Sequence, residues 1–166
     1  MEQKGDTVLE FLESVKCAAM EQSRCLRKVI ELDAQCQSIT AKITGEPGGG
    51  SGDKHKDALW ALLADQRNLY WERYIATETR RAEVDAFLSR LENPTHRAIL
   101  SLHYVDLMKW PRVEAELQRS GIYYSERQIF RLRDNALQAA RELWEKEGLA
   151  ERSLGNEDRN SEVQNI

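Results

Sequence analysis

The stretch WPRVEAELQRSGIYYSERQIFRLRDNALQAAREL, residues 110–143, reads as two helices joined by a turn around Gly121. Trp110 and Pro111 suit a helix start, because proline fixes φ and the first turn does not need its missing N–H. Val113 and Leu117 then fall on one side, with Arg112, Glu114 and Glu116 outward. Ser125-Glu126-Arg127-Gln128 is a capping box, in which serine and glutamine answer the unpaired amides of a new helix. That second helix places Ile129, Leu132, Ala136, Leu137 and Ala140 on one side and carries Arg127, Arg131 and Arg133 near its start. A short helix, a turn and a longer helix with a polar, arginine-rich front end is the layout that delivers side chains into a DNA major groove.

The rest of the chain reads as the mount for this segment. With 31% charged and 7% aromatic residues among 166, the composition suits long, solvated helices better than a sandwich or barrel. Prolines stand only at 47, 94 and 111, so long uninterrupted helices are permitted. Thr7 to about Thr44 is one helical pattern, with a possible Thr7–Glu10 capping box and a narrow stripe of Leu12, Val15, Ala19, Leu26, Val29, Cys36 and Ile43. A Gly-rich connector, 45–52, follows, and helical periodicity resumes from Asp53 to Glu92 through an apolar stripe of Leu59, Leu62, Leu63, Leu69, Tyr70, Val84, Phe87, Leu88 and Leu91. Trp60, Trp71 and Tyr74 thicken this second stripe as packing residues. Asn93-Pro94 opens a further helix reaching about Val105. The expected fold is all-α: a long, coiled-coil-like antiparallel hairpin (7–92), a helix-turn-helix (93–147) and a polar, disordered tail (148–166). The narrow seam and surplus aromatics predict a homodimer or higher homo-oligomer.

No apolar run approaches membrane length, and the first residues lack the apolar segment of a signal peptide, so the expected location is the cytoplasm with no membrane partner. Cys17, Cys25 and Cys36 form no metal-ligand spacing and read as reduced helix residues. His55, His96 and His103 are scattered. With no nucleotide-binding or hydrolase motif, neither an enzyme nor a cofactor is expected. The net charge of −4 argues against a basic coat protein, although only the local field at a contact face bears on DNA binding.

With Ile129, Ala136 and Leu137 packed against Val113, Leu117 and Leu100, the expected outward set is Glu126, Arg127, Phe130, Arg131 and Asn135, beside Ser125 and Gln128. Arg127 and Arg131 stand one turn apart, and arginine is the preferred donor to guanine edges and phosphates. Lys109, Arg112 and Arg97 are candidates for holding the phosphate backbone. Arg133 is expected to lie beside the core with its head in water. Tyr123 and Tyr124 read mainly as packing residues.

Pro94-Thr-His-Arg97-Ala-Ile99-Leu100-Ser-Leu-His103-Tyr104, Trp110 through Leu117, Tyr124 through Leu132 and Ala136-Leu137 together resemble region 4 of bacterial sigma factors. The likeness extends to small phage regulators of the RinA and ArpU kind, which carry similar N-terminal helices and a polar interruption. The resemblance implies control of phage transcription, typically of late genes in a Gram-positive host. Double-stranded DNA is then the partner, with host RNA polymerase contacted or its sigma factor substituted. Primary sigma factors begin this helix Thr-Arg-Glu-Arg, whereas Ser125-Glu126-Arg127-Gln128 stands here, Phe130 replaces a basic residue, and the turn is longer. Promoter −35 specificity is therefore not carried over. Two other readings stay open: a small terminase-like packaging protein, and a module that binds RNA polymerase without touching DNA.

Overall fold

A computed structural model of the chain describes residues 7–43 and 52–148. These are helical throughout their regular structure, with no strand among the described residues: α1 spans Thr7–Ile43, α2 Gly52–Leu88, α3 Pro94–Leu100, α4 Trp110–Arg119 and α5 Glu126–Glu147. A single π-helical turn, Ser101–Val105, continues α3. No helix among the described residues is long and apolar enough to cross a membrane. The connector and tail expected from the sequence fall outside the described residues except at their edges, where Gly52 begins α2 and Gly148 caps α5 with φ 60°.

Local chemistry sets most helix ends. Asn93 caps α3, its Oδ1 accepting from the amides of Thr95 (2.9 Å) and His96 (3.4 Å). Gly121 (φ 80°) lies just past the end of α4, in the left-handed conformation that glycine adopts without a Cβ penalty. Two boundaries differ from the sequence reading. Thr7 is already helical within α1, so it is not that helix's N-cap. Helix α2 stops at Leu88 rather than Glu92, and Leu91 is buried from the turn that follows.

The chain divides into two compact units, Met1–Val15 with Arg81–Ile166, and Lys16–Arg80. The first holds the main core. Val8, Leu12 and Val15 from the start of α1 meet Val84, Phe87 and Leu88 from the end of α2, together with apolar residues of every later helix. Phe11, Phe87 and Trp144 form an aromatic cluster with centroid separations of 4.9–5.6 Å. Helices α3 and α5 pack against each other, and Ala136 and Ala140 are fully buried on α5. Residues this small let two helix backbones approach.

In the second unit, ion pairs Arg67–Asp33 (2.9 Å) and Arg73–Glu21 (3.0 Å) link α1 to α2 with opposite chain sense. Few side chains are excluded from water here: Cys36, Leu63 and the polar Thr77, whose hydroxyl donates to the Arg73 carbonyl at 2.8 Å. The stripe anticipated on α1 departs at Leu26, which is 40% exposed, while Cys25 is turned further in. Burial at 22, 25, 29, 32, 36 and 39 keeps a seven-residue period, the repeat that favours a side-by-side helix partner. Ile43 lies where side chains are not described. Leu62 leaves the stripe expected on α2, and Trp60, Trp71 and Tyr74 do not thicken a core, since all four are exposed.

Candidate nucleic-acid interface

Helix α5 begins with the capping box expected from Ser125 and Gln128. The Ser125 Oγ accepts from the Gln128 amide (3.4 Å), and the Gln128 Oε1 accepts from the Ser125 amide (2.8 Å). These two side chains are thereby committed to the helix start, leaving only the glutamine NH2 to face outward. Ser125→Ala is expected to cost about 1 kcal/mol of stability, with Ser125→Asp restoring most of it, as measured by urea unfolding.

Beyond the box, Ile129, Ala136, Ala140 and Trp144 face the core. Glu126, Arg127, Phe130, Arg131 and Asn135 are exposed, as are Lys109 and Arg112 at the start of α4. At 100° per residue, Arg127 and Arg131 point almost directly away from Ile129 and Ala136. Neither makes an ion pair among the described residues, and the same holds for Lys109 and Arg112. By contrast Arg90 is bound to Glu147 (3.0 Å), Arg119 to Glu116 (3.1 Å) and Arg133 to Asp134 (2.8 Å). Gln138, which the sequence reading passed over, continues the exposed row two turns beyond Arg131. Its amide donates to Glu142 at 3.1 Å. The seven-residue spacing from Arg131 was the available signal.

Two expectations are corrected. Arg97 does not project toward a ligand: its guanidinium donates to the carbonyls of Leu91 (3.0 Å) and Ser89 (3.5 Å), bracing the turn after α2. Tyr123 is not a packing residue, being 81% exposed, whereas Tyr124 is half-buried against the core. Arg133 does lie inward of its neighbours, and it has a definite task. Its guanidinium stands 5.7 Å from the Trp110 ring centroid and 5.2 Å from that of Phe130. Such cation–π contacts contribute about 0.5–1 kcal/mol at exposed sites.

This contact extends into a stack. The His103 ring lies on Trp110 at 4.1 Å and 23°, and its Nδ1 is 2.7 Å from the Met108 carbonyl. A carbonyl only accepts, so Nδ1 carries the proton and donates. Met108 follows Leu107, the one non-glycine residue with positive φ (56°) among those described, where the chain turns into α4. The row His103, Trp110, Arg133, Phe130 therefore fixes the beginning of α4 against α5. Lys109 directly precedes Trp110 of that row, and Phe130 forms its α5 end. No group of three metal-ligating side chains is assembled among the described residues.

Comparison with family models, with curated proteins and with solved structures yields no match.

Proposed function

We propose that this chain is a sequence-specific DNA-binding regulator of transcription, most simply an activator of phage or prophage genes. In this reading α4 and α5 are a helix-turn-helix of the kind found in sigma factor region 4, and α5 is the recognition helix. Helices α1 and α2 form a hairpin that mounts it. The observation that carries the proposal is the pairing state of the arginines. Arg127 and Arg131 stand unpaired, one turn apart, on the exposed side of a firmly capped helix. Neighbouring Arg133 is held by Asp134 and two rings. Unpaired guanidiniums with that spacing suit guanine edges or adjacent phosphates. Lys109 and Arg112 supply further phosphate contacts. Asn135, and with it Gln138, matches the donor and acceptor pattern of adenine.

The reading is tested by recovering genomic fragments bound to the purified protein at moderate salt and measuring affinity for the enriched site. Arg131→Ala is expected to cost about 1–3 kcal/mol in binding, some tenfold to a hundredfold, with specificity relaxed at the base pair it contacts. Lys109→Ala should instead weaken all sequences alike and reduce the salt dependence by about one counterion. Absence of any enriched site over an Arg127→Ala/Arg131→Ala control would overturn it. A second reading, a module that contacts RNA polymerase without touching DNA, is favoured by the exposed Tyr123 and Phe130 and by the acidic Glu126 and Asp134 among the arginines. It predicts polymerase binding that is lost on Phe130→Ala.

A further inference from the structure

The exposed apolar side chains are concentrated on one side of the Lys16–Arg80 unit. On α1, Leu26, Ile30 and Asp33 follow one another at i+4 and i+3; on α2, Arg67, Trp71 and Tyr74 do the same. Side chains so spaced form a single row on a helix. Because Asp33 and Arg67 touch at 2.9 Å, the two rows flank the same side of the helix pair. Trp60 extends the α2 row, being eleven residues (almost three whole turns) before Trp71. Leu62 lies elsewhere: with Leu69 and Arg73 it belongs to the side marked by the Arg73–Glu21 pair.

On the first side, Ile30 is 59% and Trp71 58% exposed, with Trp60, Leu26 and Tyr74 each open by about two-fifths and Ile75 beside them more open still. At 150–250 Å² for an aromatic side chain, these six offer roughly 600 Å² of apolar surface, the upper end of what a soluble monomer leaves bare. Trp71 and Tyr74 are already pre-set, their rings in edge contact at 5.6 Å. Asp33 and Arg67 neutralise each other in place, and Lys56 and Glu78, which continue the α2 row four residues before Trp60 and four after Tyr74, add no net charge.

We infer that this face is the contact between two copies of the chain. A face without net charge gives a basic or acidic partner, or a nucleic acid, little to select. Placed on its own image by a two-fold axis, the face meets an aromatic patch equally free of net charge. Two such patches, fully covered, bury about 1,200 Å², the lower limit for a stable specific interface. The enrichment in Trp and Tyr and the scarcity of unpaired charge are those of an interface centre. The inference does not depend on DNA binding and can fail or stand without it.

Sedimentation velocity on the full chain tests it, across concentrations from sub-micromolar to tens of micromolar. The wild-type protein is expected to shift from one to two chain masses over that range. Trp71→Glu and Ile30→Glu should each weaken the dimer about 30-fold or more, while Leu62→Glu leaves it unchanged. Circular dichroism verifies that each variant keeps its helix content; if a glutamate variant loses it, the milder Trp71→Gln and Ile30→Ser take its place. A wild-type protein that stays monomeric overturns the inference. So does a dimer indifferent to these changes, or one as sensitive to Leu62→Glu as to Trp71→Glu.

Discussion

Phe87→Ala is expected to lower the free energy of unfolding by about 3–5 kcal/mol, a large fraction of the roughly 5–15 kcal/mol that holds a typical domain together. Phe87 is 1% exposed and sits edge-on to both Phe11 and Trp144, at 5.6 Å from each. Truncation removes the transfer free energy of a whole ring and the two aromatic contacts. It also leaves a cavity whose rim is built from three helices. Collapse is hard there, because α1, α2 and α5 would have to move together. Arg90 also loses the ring beneath its guanidinium, now 5.7 Å from the centroid. Urea unfolding monitored by circular dichroism measures the loss. Leu62→Ala, an exposed leucine, is the control and should change stability by no more than about 0.5 kcal/mol.

The second large effect is expected at Ala136, where the defect is excess volume. Ala136→Leu should destabilise by about 1–3 kcal/mol, because Ala136 is fully buried in the core and an added isobutyl group finds no free space there. The consequence extends beyond stability. A leucine here pushes α5 away from the core beneath it, whereas the stack of Trp110 and Arg133 holds its beginning against α4. Helix α5 then tilts about that fixed end. If α5 reads DNA, affinity should fall more than in Ala115→Leu, a substitution at an exposed site on α4, even at temperatures where both variants are folded. Equal affinity of the two variants would separate the orientation of α5 from binding.

Helix ends were the most legible part of this sequence, because capping is decided by a few neighbouring groups. Asn93-Pro94 and Ser125 to Gln128 both act where they were expected. The seam of α1 was less so. A stripe of apolar letters does not distinguish Leu26 from Cys25 when both lie near its edge, and the larger side chain is the one left in water. Nor does periodicity say what covers a face. It identified Leu12 and Val15 as inward, but not that they would join the core of the C-terminal helices. Among the candidate contacts, exposure of Arg127, Arg131, Asn135, Lys109 and Arg112 followed from their position opposite Ile129 or at a helix start. Arg97 could not be distinguished from these by residue type. Its role depends on carbonyls left open because α2 ends four residues early.

The union of Val8, Leu12 and Val15 with the residues after Arg80 has a consequence for the order of events during synthesis. The first turns of α1 leave the ribosome long before their partners exist, and their apolar side is not fully covered until α5 has been made. Lys16–Arg80, whose two helices are consecutive, needs no such wait and can close first, bringing both flanking segments together and shortening the loop that the main core has to seal. A fragment beginning at Arg81 would carry every arginine proposed to touch DNA, yet it would be born with Phe87 and Trp144 uncovered.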